Sequence, residues 1–145
     1  MKNKKGFTLV ELIVVIVIVG ILTIVSLPIY RGYTLKSKIT EGRALAASII
    51  TAQRVYYAEN NTWYDISSWV DEDQILTVDA RQNNYFKKIR SGVSSYYPNT
   101  ISAEALSENE NLIVHQFWPL DMSQSATYPK WLITDSGGTV VSEEW

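Results

Sequence analysis

The sequence predicts an α+β protein, a long N-terminal α-helix packed on a C-terminal antiparallel β-sheet. Three observations carry that prediction. An apolar run from Phe7 to Ile29 is long enough to demand a helix. The residues after Tyr33 continue with a helical period. Beyond residue 84 the chain alternates in short β-prone runs separated by turn residues.

Residues 8 to about 59 read as one helix. Thr8, Glu11, Thr23 and Ser26 are the polar breaks in its first part. At a rise of about 1.5 Å per residue, that part crosses a hydrocarbon core of about 30 Å. Val and Ile crowd residues 13–19, a composition that would suit a strand. In lipid, however, only a helix satisfies the backbone of a lone span. Gly20 and Pro28 are the weak points, because proline removes a hydrogen bond and bends the helix. Lys2, Lys4 and Lys5 place the start of the chain on the cytoplasmic side. Arg31, Lys36 and Lys38 on the other flank oppose that orientation. SLPIYRGY offers no small-x-small cleavage site, which disfavours an ordinary secretory signal.

After Tyr33 the helix becomes amphipathic. Ile39, Ala46, Ile49, Gln53 and Tyr56 fall near one face, while Arg43, Arg54 and Glu59 lie mostly elsewhere. Ala44, Ala46, Ala47 and Ala52 permit close approach to a sheet. Asn60-Asn61 is the expected stop, since Asn tolerates the left-handed cap conformation. Residues 62–84 read as a connecting loop with one short helix, from a weak Ser68–Asp71 capping signal. Strands are expected at 84–90, 92–97, 111–117, 130–134 and 138–142, and a helical turn at Ser102–Leu106. The DSGG stretch between the last two strands predicts a hairpin turn.

The chain has 145 residues, enough for one domain plus a membrane segment. Its formal charge of −2 becomes −5 if Lys2, Lys4 and Lys5 are removed. That balance argues against a general phosphate-backbone binder, and no nucleic-acid partner is predicted. Lys87, Lys88 and Arg90 beside Tyr85 and Phe86 leave a DNA contact open, with a strand edge guarded by lysines as the preferred reading. There is no cysteine, which excludes disulfides and thiolate metal sites. No metal or cofactor is predicted. The calcium candidates are Asp71 with Asp73, and Asp121, Asp135, Glu143 and Glu144, none with a complete loop of ligands. His115, the sole histidine, sits in an alternating strand pattern and reads as structural or exposed. No catalytic constellation is legible, so the chain is read as no enzyme. The many aromatics read as core and subunit contacts, with a surface adhesion patch left open.

A plain anchor explains everything in this segment except Glu11 and the Gly6-Phe7 pair. A carboxylate at hydrocarbon depth costs about 2.5–3.5 kcal/mol on insertion scales and therefore calls for a partner. KKGFTLVELIVVIVIVGILTIVSLPIYRGY resembles the class III signal of type IV pilins and pseudopilins. PIYRGYTLKSKITEG, residues 28–42, is similar to the segment that follows the membrane stretch in many type IVa pilins. The resemblance covers residues 5–64 and implies the pilin fold. It implies cleavage by a prepilin peptidase between Gly6 and Phe7, N-methylation of Phe7, and subunit docking through Phe7 and Glu11. The glutamate would neutralise the terminal amine of a neighbouring subunit. It also implies helix flexibility at Gly20 and Pro28, with unwinding between them in the filament more than in the monomer.

On this reading residues 1–6 are a leader, 7–30 the transmembrane and filament-core half of the helix, and 31–145 the globular domain. The implied function is a structural subunit of a type IV pilus, a helical homo-oligomer. The implied partners are the peptidase, an assembly platform protein, an ATPase and the membrane. The precursor would sit in the cytoplasmic membrane and the product in an extracellular pilus. The rival is a pseudopilin of a type II secretion system. Major pseudopilins carry Tyr-Pro and Gly-Leu segments soon after the long helix, where TWYDISSWV stands here.

Overall fold

The structure, a computed structural model, describes residues 6–97, 100–109, 111–120 and 130–144. The chain divides into two compact units, with the boundary between Ser37 and Lys38. One helix, α1 (Leu9–Asn60), contributes to both. The expected span of 8 to 59 is therefore met within a residue at each end.

In the N-terminal unit α1 runs without a break through Gly20 and Pro28. Residues 6–33 are all exposed. Two hydroxyls of this stretch turn back to the helix backbone. Thr23 Oγ1 donates to the Val19 carbonyl at 2.8 Å, and Ser26 Oγ to the Leu22 carbonyl at 2.6 Å. Such back-bonding lets an apolar surface carry hydroxyls without leaving them unpaired. It is concentrated between the glycine and the proline.

In the C-terminal unit the same helix buries Gly42, Leu45, Ala46, Ile49, Ile50 and Gln53, a spacing of three and four residues that keeps one face inward. Of these, Leu45, Ala46, Ile49 and Ile50 share a core with Ile89, Ala103, Ala105, Val114 and Ile133. Gly42 sets the closest approach. A Cβ at that position would lie 2.9 Å from the Phe86 ring and from Val114 Cγ2. Gln53 is fully buried and satisfied: its Nε2 donates to the Tyr64 carbonyl and Ser91 Oγ, and its Oε1 accepts from Tyr64 N. Glu41 accepts from the backbone N–H groups of Asn84, Tyr85 and Phe86 at 3.2, 2.7 and 3.0 Å. The helix ends as expected: Asn61 is left-handed at φ 53°, and its N–H bonds to the Tyr57 carbonyl.

The strands are β1 (Ile66–Val70), β2 (Glu72–Asp73), β3 (Val78–Asp79), β4 (Lys88–Val93), β5 (Thr100–Ser107), β6 (Leu112–Pro119), β7 (Trp131–Asp135) and β8 (Val140–Glu144). Six form an antiparallel sheet in the order β1-β4-β5-β6-β7-β8, and β2 pairs with β3 alone. The β7–β8 hairpin turns on the predicted DSGG. Gly138 has φ 86°, and Thr139 N donates to Asp135 Oδ1.

Four expectations are corrected. Residues 62–84 hold β1, β2 and β3 rather than a loop with a short helix. The strands expected at 84–90 and 92–97 are one strand, β4, which continues through Gly92 to Val93. A side chain at Gly92 would collide with Asp65, so the glycine makes room for a neighbour instead of ending the strand. Ser102–Leu106 belongs to the central strand β5, not to a helical turn. β4 lies between β1 and β5, so Lys87, Lys88 and Arg90 do not guard a sheet edge.

Candidate functional site

Of the residues singled out at the N-terminus, Gly6 and Phe7 precede α1 and Glu11 lies in its first turn. Phe7 is exposed. Thr8 precedes α1 as its cap, and Glu11 follows three positions later. Thr8 N donates to Glu11 Oε2 at 2.8 Å, Thr8 Oγ1 donates to the same oxygen at 2.7 Å, and Glu11 N donates to Thr8 Oγ1 at 3.3 Å. This is a capping box, in which two side chains satisfy backbone donors that the first turn leaves free. The T-x-x-E spacing of a capping box is visible in the sequence itself, beside the charge that makes Glu11 conspicuous. In this structure, then, the Glu11 carboxylate has a partner in its own chain.

A second site lies on the face of the sheet opposite α1. Glu104 on β5 stands opposite Arg90 on β4 and His115 on β6. Arg90 Nε and Nη2 both donate to Glu104 Oε2, at 2.8 and 2.5 Å. His115 Nδ1 lies 3.4 Å from Glu104 Oε1, and Ser102 Oγ donates to the same oxygen. His115 Nε2 is 2.9 Å from Thr134 Oγ1 on β7. Burial pushes the Glu104 carboxyl up, but His115 and the Arg90 guanidinium outweigh it and hold the group below its ordinary value. Tyr96 meets the His115 ring edge-on, and Tyr97 meets Phe117. The order Thr134–His115–Glu104 has the sequence of roles of a hydrolytic relay. Thr134 and His115 have 0% exposure, so a substrate cannot reach the hydroxyl. The alternation places His115 in a strand, but that Glu104 stands opposite it, with Arg90 on the far side of Glu104, depends on pairing register, which is not readable from one chain.

Asp73 Oδ1 accepts from Leu76 N, and Asp135 Oδ1 from Thr139 N. Asp121 and the Glu144 side chain lie outside the described residues. Among the described residues no group of three His, Cys, Asp or Glu side chains is placed to hold a metal ion. Of the basic cluster, Arg90 is taken by Glu104 and lies over the Trp69 ring, and Phe86 is in the core.

Comparison with known proteins finds likeness at the N-terminus. A family model described as the prokaryotic N-terminal methylation motif matches residues 1–27. The relatives narrow it. The chain is 45% identical over 60 residues to the type IV major pilin protein PilE1 of Neisseria gonorrhoeae, covering 41% of this chain and 36% of that protein. It is 42% identical over 60 residues to the fimbrial protein EcpC of Eikenella corrodens, covering 41% and 39%. It is 40% identical over 52 residues to a fimbrial protein of Pseudomonas aeruginosa, covering 36% and 34%. The matched stretch spans about a third of the length of these curated relatives. No solved structure matches significantly. The chain thus carries the methylation motif and resembles type IV pilins over that stretch. Its long helix and antiparallel sheet form an α+β arrangement consistent with the pilin fold.

Proposed function

We propose that this chain is a structural subunit of a type IV pilus. The observation that carries the reading is a methylation motif set on a helix whose apolar surface is exposed among the described residues. From Leu9 to Ile29 each large apolar side chain is exposed, and the helix is long and apolar enough to cross a membrane. Such a surface is tolerable in lipid before assembly and against other copies of the same helix after it. In this reading residues 1–6 are a leader, 7–30 the membrane and core segment, and 31–145 the exposed domain.

A prepilin peptidase cuts between Gly6 and Phe7, and the new Phe7 amine is methylated. The amine is a charge created next to the apolar segment, one turn from Glu11. Docking pairs it with Glu11 of a neighbour, because a buried charge left without its partner costs about 3–5 kcal/mol. The Thr8 capping box holds the carboxylate until that partner arrives. Back-bonded Thr23 and Ser26 lie within the stretch from Gly20 to Pro28, where the helix loosens in the filament. The subunit works by assembly and not by catalysis, with a platform protein and an ATPase driving insertion into the filament. The pseudopilin reading shares the N-terminal motif, but the relatives named above are pilins and fimbrial proteins.

The test is the intact mass of the chain in sheared surface filaments and in the envelope. A chain starting at N-methyl-Phe7 and abundant in the sheared fraction is expected. Gly6→Ala should retain residues 1–6 and abolish the sheared product. Normal maturation of that variant would refute the cleavage assignment.

A further inference from the structure

One cleft in the C-terminal unit has no part in the assembly just described. It lies between the last turn of α1 and the end of β6 and has a volume of about 570 Å³. Tyr57, Trp63 and Trp118 supply aromatic surface, and Arg54, Asn61 and Thr62 supply polar groups. The rings are arranged rather than scattered. Tyr57 and Trp63 stack at 4.5 Å with 22° between their planes. The Arg54 guanidinium lies over Trp118, 4.6 Å from the ring centre. The left-handed turn at Asn61 folds the chain back so that Trp63 returns beside Tyr57.

Open aromatic walls take either a cation or the apolar face of a ring such as a sugar. Arg54 decides between them. Its fixed positive charge repels a cation and offers a carboxylate a two-pronged partner. Among the described residues no carboxylate lines the cleft and none forms an ion pair with Arg54. The exposed Asn61 and Thr62 add hydrogen-bonding groups at the rim. Apolar walls with a few convergent polar groups are the usual make-up of a small-ligand site.

We propose that this cleft binds an acidic saccharide. The apolar face of the sugar lies on the outward side of the Tyr57–Trp63 stack, and a uronic-acid carboxylate pairs with the N–H edge of the Arg54 guanidinium, whose face covers Trp118. The site is complete within one subunit and does not depend on filament formation.

The test titrates the full chain, purified in a non-ionic detergent, with trigalacturonic acid and with its neutral trimethyl ester. Calorimetry and tryptophan fluorescence give the two affinities. The acid is expected to bind about tenfold more tightly than the ester, as one charge-assisted contact implies. Added salt should narrow that gap. Arg54→Gln should bring the acid down to the affinity of the ester and leave the ester unchanged. Trp63→Leu should weaken both, with helix content by circular dichroism confirming that the variant is folded. Equal affinity for acid and ester, unchanged acid binding by Arg54→Gln, or no binding of the acid at millimolar concentration would each overturn the proposal.

Discussion

The two parts of α1 follow one backbone rule and meet opposite surroundings. From Leu9 to Tyr33 the helix is exposed on every side and buries nothing. From Gly42 to Gln53 it buries a face made of a glycine, an alanine, branched residues and one satisfied glutamine. The second part is finished by its own chain, through Phe86, Val114 and the strands behind them. The first part is not, and in our reading other subunits finish it. A single helix can thus carry an intramolecular core at one end and an intermolecular one at the other. The sequence device is simple: apolar residues all round in one half, and a stripe in the other.

The largest effect separating the two halves should come from Glu11→Val. In the proposed assembly it strands the Phe7 amine, at a cost of about 3–5 kcal/mol per subunit. Processing should continue while the yield of sheared filaments collapses, measured against total mature chain. The domain should keep its stability, because Glu11 touches only Thr8 among its hydrogen-bond partners. Abundant normal filaments would break the comparison at its first half.

Glu104→Ala acts on the other half. It leaves Arg90 half-exposed without its carboxylate and His115 in a buried site with one partner fewer. A loss of about 2–4 kcal/mol is expected, below the full cost for a buried pair because Arg90 still reaches water. Denaturant unfolding of residues 35–145 would measure it. An unchanged midpoint would mean that the sheet does not lean on this charge network.

Gly42→Ala sharpens the comparison at the contact itself. Alanine favours a helix by about 1 kcal/mol over glycine. Here its methyl group would press on the buried Phe86 ring and on Val114. Overpacking of this kind costs about 1–3 kcal/mol, so a net loss is expected. The same change at Gly20, where nothing lies within 4 Å, should stabilise the isolated helix. Opposite signs at two glycines of one helix would show that packing, not propensity, rules the C-terminal half.

The smallest effect is a pH dependence. Burial raises the Glu41 carboxyl, but the three backbone donors of Asn84, Tyr85 and Phe86 together bring it below its ordinary value of 4.5. Glu104 is lowered too. Lowered carboxyls bind protons less readily in the folded state. Their stabilisation is therefore present above about 4.5 and is lost as pH falls through their folded values. Unfolding curves of residues 35–145 between pH 6 and pH 3 should show that loss, and Glu41→Gln should flatten it. A stability that rises as the solution is acidified would contradict the sign.

Much of this was legible in the sequence, for physical reasons. The span and cap of α1 follow from apolar length, period and Asn61, and β6, β7 and β8 follow from alternation and the DSGG turn. The centre of β5, Ala103-Glu104-Ala105-Leu106, is made of residues that suit a helix in isolation, which hides the strand. Its alanines, Ala103 and Ala105, are small because α1 presses on that face of the sheet, a fact visible only once the sheet is assembled. β1 was missed because Ser68 and Asp71 mimic a helix start. At the candidate site the charge of Glu11 stood out at once. Its bond to Thr8 was overlooked, although the spacing of a capping box needs no structure to find.

The measurement that bears most directly on the central claim is a filament structure at a resolution that shows side chains. The account predicts Glu11 within about 4 Å of the Phe7 amine of a neighbouring subunit, the reach of a salt bridge. The apolar side chains from Leu9 to Ile29 should then be buried against other copies of the same helix. A filament in which Glu11 keeps only its own Thr8, with the amine elsewhere, would contradict it.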